Sequence, residues 1–214
     1  MTAEQLIQEG RALQRPCFFL RTEISGEVAA IWHEQDDDEI EETGHRCWLT
    51  VDSRFVPGLP ASLSGYFSIF TNEEDCESGI VDFSKEKPKR DGVELYAHAA
   101  SVIPPLDAVI ARGSTAIDEW LLANNRQRNE RYNDNFKDKE MTEAYGKIWT
   151  SEYPLYFESD VYAILGGWHW PGQDNDWHDL IDEHLMVLTI RDSEPWVEAW
   201  RMRNGGFKVI QRIT

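Results

Sequence analysis

The chain has 214 residues, 41% of them hydrophobic and 12% aromatic; that is enough to bury the core of one large domain and excludes a chain disordered over most of its length. Lysine and arginine number 21 against 39 aspartate and glutamate, a formal charge of −18, so phosphate backbones and anionic lipid head groups are repelled, and nucleic acid and membrane are set aside as partners. The opening MTAEQLIQEG lacks the basic and apolar segments of a signal peptide and no apolar run reaches roughly eighteen residues, so a soluble, cytoplasmic protein is expected.

Thr2 and Gln5 have capping-box spacing, and Leu6, Ile7 and Leu13 fall on one side of a helix that must stop before Pro16. Short runs rich in β-branched and aromatic residues follow at 17–20, 28–32 and 47–51 and predict strands. Between the last two lies a loop, 34–42, whose crowded carboxylates read as a solvated connection. The runs 66–70, 79–83 and 93–97, separated by polar turns, predict a β-meander. After Pro104 and Pro105 the period changes. Leu106, Val109 and Ile110 predict a helix ending at Gly113, and Thr115 with Asp118 predicts the cap of another that buries Ile117, Trp120 and Leu121. Residues 124–139 read as an exposed helix end plus loop, and 140–149 as a short helix. Strands at 161–165, 185–190, 196–200 and 207–213 make a second meander.

The expected fold is therefore α+β: one domain over 1–214, with two antiparallel β-meanders packed with a central helical segment. Halves 1–103 and 140–214 are joined by residues 104–139. The succession YFSIF, GIVDF, GVELYAHA matches LMVLTI, WVEAW, GFKVIQRI in pattern, which raises an internal duplication as one reading beside the alternation that any two meanders share. Cys17, Cys47 and Cys76 are odd in number and form no C-x-x-C pair, so reduced, structural thiols are expected.

The segment LGGWHWPGQ and the closing LMVLTIRDSEPWVEAWRMRNGGFKVIQRIT resemble the YwqG-like family of bacterial proteins, through Leu165, Gly166, Pro171, Gln173 and Trp200. The resemblance covers about the last quarter of the chain. It implies a sheet-rich α+β fold in a bacterial protein and brings no established activity or catalytic residues with it.

The densest chemistry lies in GGWHWPGQDNDWHDLIDEH, residues 166–184. His169, Asp174, Asp176 and His178 are ligand types for a divalent metal, but the spacing matches neither an EF-hand nor H-E-x-x-H. Asp179, Asp182 and Glu183 could carry protons beside His178 and His184. Against this, Asp176 and Asp179 also have the spacing of a helix N-cap and its first-turn acid. No nucleophile elbow, Walker lysine loop or dinucleotide fingerprint is present. Trp168, Trp170, Trp177, Trp196 and Trp200 either fill the core or line a binding cleft. Glu198 lies between two tryptophans of one strand face and must be paired, with Arg201 or Arg212, or exposed.

These observations favour a non-enzymatic, partner-binding protein without a cofactor, whose acidic surface captures a basic protein as toxin-neutralising immunity proteins do. The alternative is a metal-assisted hydrolase whose His169 to His178 loop holds a divalent metal that activates water. A third reading is a homo-oligomer joined through a sheet edge or a tryptophan face.

Overall fold

The computed structural model describes residues 1–34, 44–72, 79–87, 91–125, 139–152, 160–168, 184–190 and 196–212. The capping box forms as expected at the start of α1 (Ala3–Ala12): Thr2 Oγ1 accepts from the Gln5 amide at 3.2 Å, and Gln5 Oε1 accepts from the Thr2 amide at 2.7 Å. The apolar runs become strands: β1 (Arg15–Arg21), β2 (Val28–Trp32), β3 (His45–Asp52), β4 (Tyr66–Asn72), β5 (Gly79–Ser84), β6 (Val93–Val102), β7 (Val161–Gly166), β8 (His184–Ile190), β9 (Trp196–Met202) and β10 (Phe207–Arg212). Among the described residues three further helices lie between β6 and β7 in the chain: α2 (Leu106–Arg112), α3 (Thr115–Ala123) and α4 (Lys139–Glu152). The cap expected at Thr115 is Ser114 instead, whose hydroxyl accepts from the Ala116 amide. The Glu9 carboxylate in turn accepts from the Ser114 amide and hydroxyl, tying α1 to the start of α3.

All ten strands join one antiparallel sheet in the order β10-β9-β8-β7-β1-β6-β2-β3-β4-β5, so the fold is α+β. The expected meander 66–97 is corrected here. β5 is an edge, and β6 leaves it to run between β1 and β2, so the four-strand meanders are β2–β5 and β7–β10. Ten residues long, β6 pairs along β1 on one side and β2 on the other, satisfying both rows of its backbone groups where a place beside β5 would leave one row open.

The strand order maps onto itself when β1–β5 and β6–β10 are exchanged, and so do the irregularities. β2 carries one extra residue, Ala29, between the pairs Val28–Tyr96 and Ala30–Leu95, and β7 carries Tyr162 between Val161–Arg21 and Ala163–Leu20. β3 carries Trp48 between Cys47–Phe70 and Leu49–Ile69, and β8 carries Val187 between Met186–Trp200 and Leu188–Ala199. Bulges re-aim the side chains that follow them, so matching bulges give matching faces.

The sheet curls until its edges meet. Phe83 on β5 and Phe207 on β10 have ring centroids 5.3 Å apart, and Gly79 lies against Val209, where a Cβ would stand 2.5 Å from that side chain. The enclosed face holds Leu20, Ala30, Trp48, Leu49, Val51, Phe67, Ile69, Leu95, Ala163, Leu165, Val197 and Ala199. The other face of β1, β7, β9 and β10 meets the helices through Cys17, Ile164, Trp168, Trp200 and Ile210, against Ala108 and Trp149. A third cluster, with Leu6, Ile103, Val109, Ile117, Trp120, Leu121, Met141 and Tyr145, binds the helices to one another. Among the described residues no helix is long and apolar enough to cross a membrane.

Candidate functional site

Of the tryptophan-rich stretch, the structure describes the entrance. Gly166 and Gly167 both take positive φ, 74° and 75°, and a side chain on either would be crowded: by Pro57 and the Pro16 carbonyl at Gly166, and by Val102 and Cys17 at Gly167. Glycine is needed here for conformation and for space. The double turn sends Trp168 back beneath β1, where it is 1% exposed and its Nε1 donates to the Leu13 carbonyl at 2.9 Å. The guanidinium of Arg15, at the start of β1, stacks 3.6 Å from the Trp168 ring centroid, and that of Arg112, at the end of α2, lies 5.9 Å from it. Burial, and then the nearby Arg112 charge, pull the Arg15 pKa down to about 10. Beside Trp168, the Cys17 thiol is pushed up to about 12 by burial, which leaves it unreactive at neutral pH.

Trp200 is fully buried, and its indole Nε1 donates to Glu198 Oε2 at 3.0 Å along the same strand. Glu198 is itself fully buried, on the helix-facing side of β9. An indole two residues away is thus one partner of this carboxylate. Trp196 stands on the same strand. His169, Trp170, Asp174, Asp176, Trp177, His178, Asp179, Asp182 and Glu183 lie outside the described residues. Among the described residues no group of three metal-ligating side chains converges.

A buried polar row on β3 and β4 carries no motif in the sequence. His33 Nε2 lies 2.7 Å from Thr50 Oγ1, which lies 2.7 Å from Ser68 Oγ, while His33 Nδ1 faces the Asp91 carbonyl at 3.2 Å. With Nδ1–H donating to that carbonyl, Nε2 accepts from Thr50, and Thr50 accepts from Ser68, so each group has a partner. Resembling a nucleophile and its base, the row is nonetheless enclosed: the three residues are 6%, 2% and 5% exposed. The crevice beside Thr50, lined also by Asp52, Tyr66 and Lys87, has a volume of about 30 Å³, room for a water and no more. The arrangement holds β2, β3 and β4 in register.

A wider concavity lies elsewhere. Between α1 and α3 runs an open groove of about 890 Å³, lined by Met1, Glu4, Gln5, Gln8, Glu9, Ala116, Glu119, Trp120, Ala123 and Asn124. Its floor is the buried Trp120, its lining includes three carboxylates, and among the described residues no lysine or arginine lines it. The signal for one wall was readable, since Glu4, Gln5, Gln8 and Glu9 fall together on a helix that the capping box announces. The opposing wall was not, because only tertiary packing brings α3 alongside. No family model, curated protein or solved structure matches this chain.

Proposed function

We propose that this protein is a partner-binding protein that captures a basic protein, with the groove between α1 and α3 as the place of capture. The observation that carries the reading is the lining of that groove: Glu4, Glu9 and Glu119 around an apolar floor of Trp120, Ala116 and Ala123, with no cationic side chain among the described lining residues. A lysine- or arginine-rich segment would gain from these carboxylates and from the overall charge of −18, which accelerates encounter with a cation and disfavours acidic competitors. The two helices leave a trough suited to an extended or helical segment whose apolar side rests on Trp120.

The test is fluorescence anisotropy with a labelled synthetic peptide, amphipathic and rich in lysine and arginine. Binding should weaken at least tenfold as salt rises from about 0.05 M to about 0.5 M, because screening shortens the reach of these charges. Glu4→Gln combined with Glu119→Gln should weaken it further at low salt while Glu9, which holds Ser114, stays in place. Peptide binding that ignores both substitutions removes the groove from the reading, and absence of binding at low salt removes the function.

A further inference from the structure

One edge of the sheet is left open and apolar. Strand β5 pairs with β4 from Tyr66–Ser84 to Thr71–Gly79. Among the described residues no ladder joins its other side to β10, which it meets through side chains. The row of backbone N–H and C=O groups on that side is a template for another strand, and edges are normally blunted by lysine, proline or a bulge. The run GIVDFS holds neither lysine nor proline, and its register with β4 has no shift. The opposite edge, β10, carries the exposed Lys208. On β5, by contrast, Ile80 is 53% and Phe83 39% exposed, two large apolar side chains on a six-residue strand.

We propose that β5 is the contact through which two copies of this chain form a dimer, their β5 strands antiparallel across a two-fold axis. The charges that flank the strand select this occupant. Chain order puts Glu73, Glu74, Asp75 and Glu77 before Gly79, and Lys85, Glu86, Lys87, Lys89 and Arg90 after Ser84. Glu77 is two residues ahead of the strand, and Lys85 and Lys87 are exposed just beyond its end. An antiparallel pair sets the acidic start of one copy beside the basic end of the other, twice, whereas a parallel pair would set like charges together. At physiological ionic strength the Debye length is about 8 Å, so these neighbours attract while the repulsion between two copies of charge −18 is largely screened. The ladder is short, so the dimer is weak and forms with rising concentration. Strand β5 shares no residue with the acidic groove, and the dimer stands whether or not the groove binds a basic partner.

Light scattering and sedimentation of the full chain at about 0.1 mM protein and about 0.15 M salt test the proposal. A mass approaching twice the 24.8 kDa of one chain is expected. Ile80→Lys, which puts a charge on the open edge, should weaken the dimer at least tenfold. Leu122→Lys, at a 77% exposed apolar position on α3, should leave it unchanged. Two charge variants supply the decisive comparison: Lys85→Glu with Lys87→Glu, and Glu74→Lys with Glu77→Lys. Each should be monomeric by itself, and an equal mixture of the two should dimerise, because only the mixed pair restores opposite charges at both ends. Circular dichroism checks that the variants are folded; if Ile80→Lys is not, the charge variants alone decide. A monomeric wild type would mean that the edge is left to a different chain or to none, and the proposal falls. A dimer that ignores Ile80→Lys, or charge variants whose mixture stays monomeric, overturns it as well.

Discussion

Asp107→Asn should make this protein more stable at neutral pH, although it removes an acid from the first turn of a helix, where acids normally help. The helix is short, it starts after Pro105 without a side-chain cap, and its dipole favours a negative charge at Asp107. Burial works against that charge. Asp107 Oδ1 is buried and accepts no hydrogen bond, and desolvation raises the carboxyl from 3.8 to about 6. The unfolded chain loses this proton near its ordinary value, while the folded chain keeps it to about 6. Between those values the native state therefore binds more protons, so stability falls as pH rises from about 4 to about 6 and is level above. Roughly two pH units at about 1.4 kcal/mol each set a ceiling of about 3 kcal/mol. Partial exposure of Asp107 lowers this to about 1–2 kcal/mol. Urea unfolding of wild type and variant at about pH 7.5 and about pH 4 measures it. The variant should be more stable at the higher pH, and the advantage should shrink at the lower, where the wild-type carboxyl is protonated. No gain at the higher pH, or a gain equal at both, refutes the reasoning.

Two glycines test the packing of the sheet seam and of the helices. Gly79→Ala places a methyl 2.5 Å from Val209 and 2.7 Å from the Phe70 carbonyl, so a loss of about 1–3 kcal/mol is expected. In a double-mutant cycle with Val209→Ala part of that loss should be recovered, and strict additivity would show that β5 and β10 do not meet. Gly10→Ala would raise the helix propensity of α1 by about 1 kcal/mol on its own. Its methyl, however, overlaps the phenol of Tyr145, which is buried and donates to the Pro104 carbonyl at 2.7 Å. A net loss of about 1–3 kcal/mol should follow, and a higher Tm for the variant would contradict the close approach of α1 and α4.

Local features were legible because their physics is local. The Thr2 and Gln5 pair caps its own first turn, Gly113 ends α2 where the apolar spacing stops, and each apolar run became a strand, with the one expected at 93–97 running on to Val102. What the sequence withheld depends on distant partners. Nothing within 93–102 says that this strand lies between β1 and β2, because alternation reports which side chains share a face and leaves the neighbour undetermined. The candidate sites divide in the same way. Arg15 and Arg112 lie far apart in sequence, and both come to one indole because Gly166 and Gly167 fold Trp168 back under β1. His33, Thr50 and Ser68 form a row that no spacing announces.

The relation between the two halves shows how pattern can point to a real repeat in the wrong register. Matching YFSIF, GIVDF and GVELYAHA with LMVLTI, WVEAW and GFKVIQRI sets β4-β5-β6 against β8-β9-β10. The bulges require β3-β4-β5 against β8-β9-β10, one strand earlier. In that register Leu20 answers Leu95, Val28 answers Val161, and Ala30 answers Ala163. Ile31 answers Ile164, Leu49 answers Leu188, Thr50 answers Thr189, and Val81 answers Val209. Leu20, Leu95, Ala30, Ala163 and Leu49 among these fill the enclosed face, where a change of volume costs most. The same register sets Ser68 against Glu198, each paired with a threonine on the neighbouring strand. In the first half that position completes a hydroxyl row beside His33; in the second it is a carboxylate holding the Trp200 indole beneath the helices. The buried glutamate between two tryptophans thus occupies a place that is polar in both halves, and its chemistry follows from what covers that place.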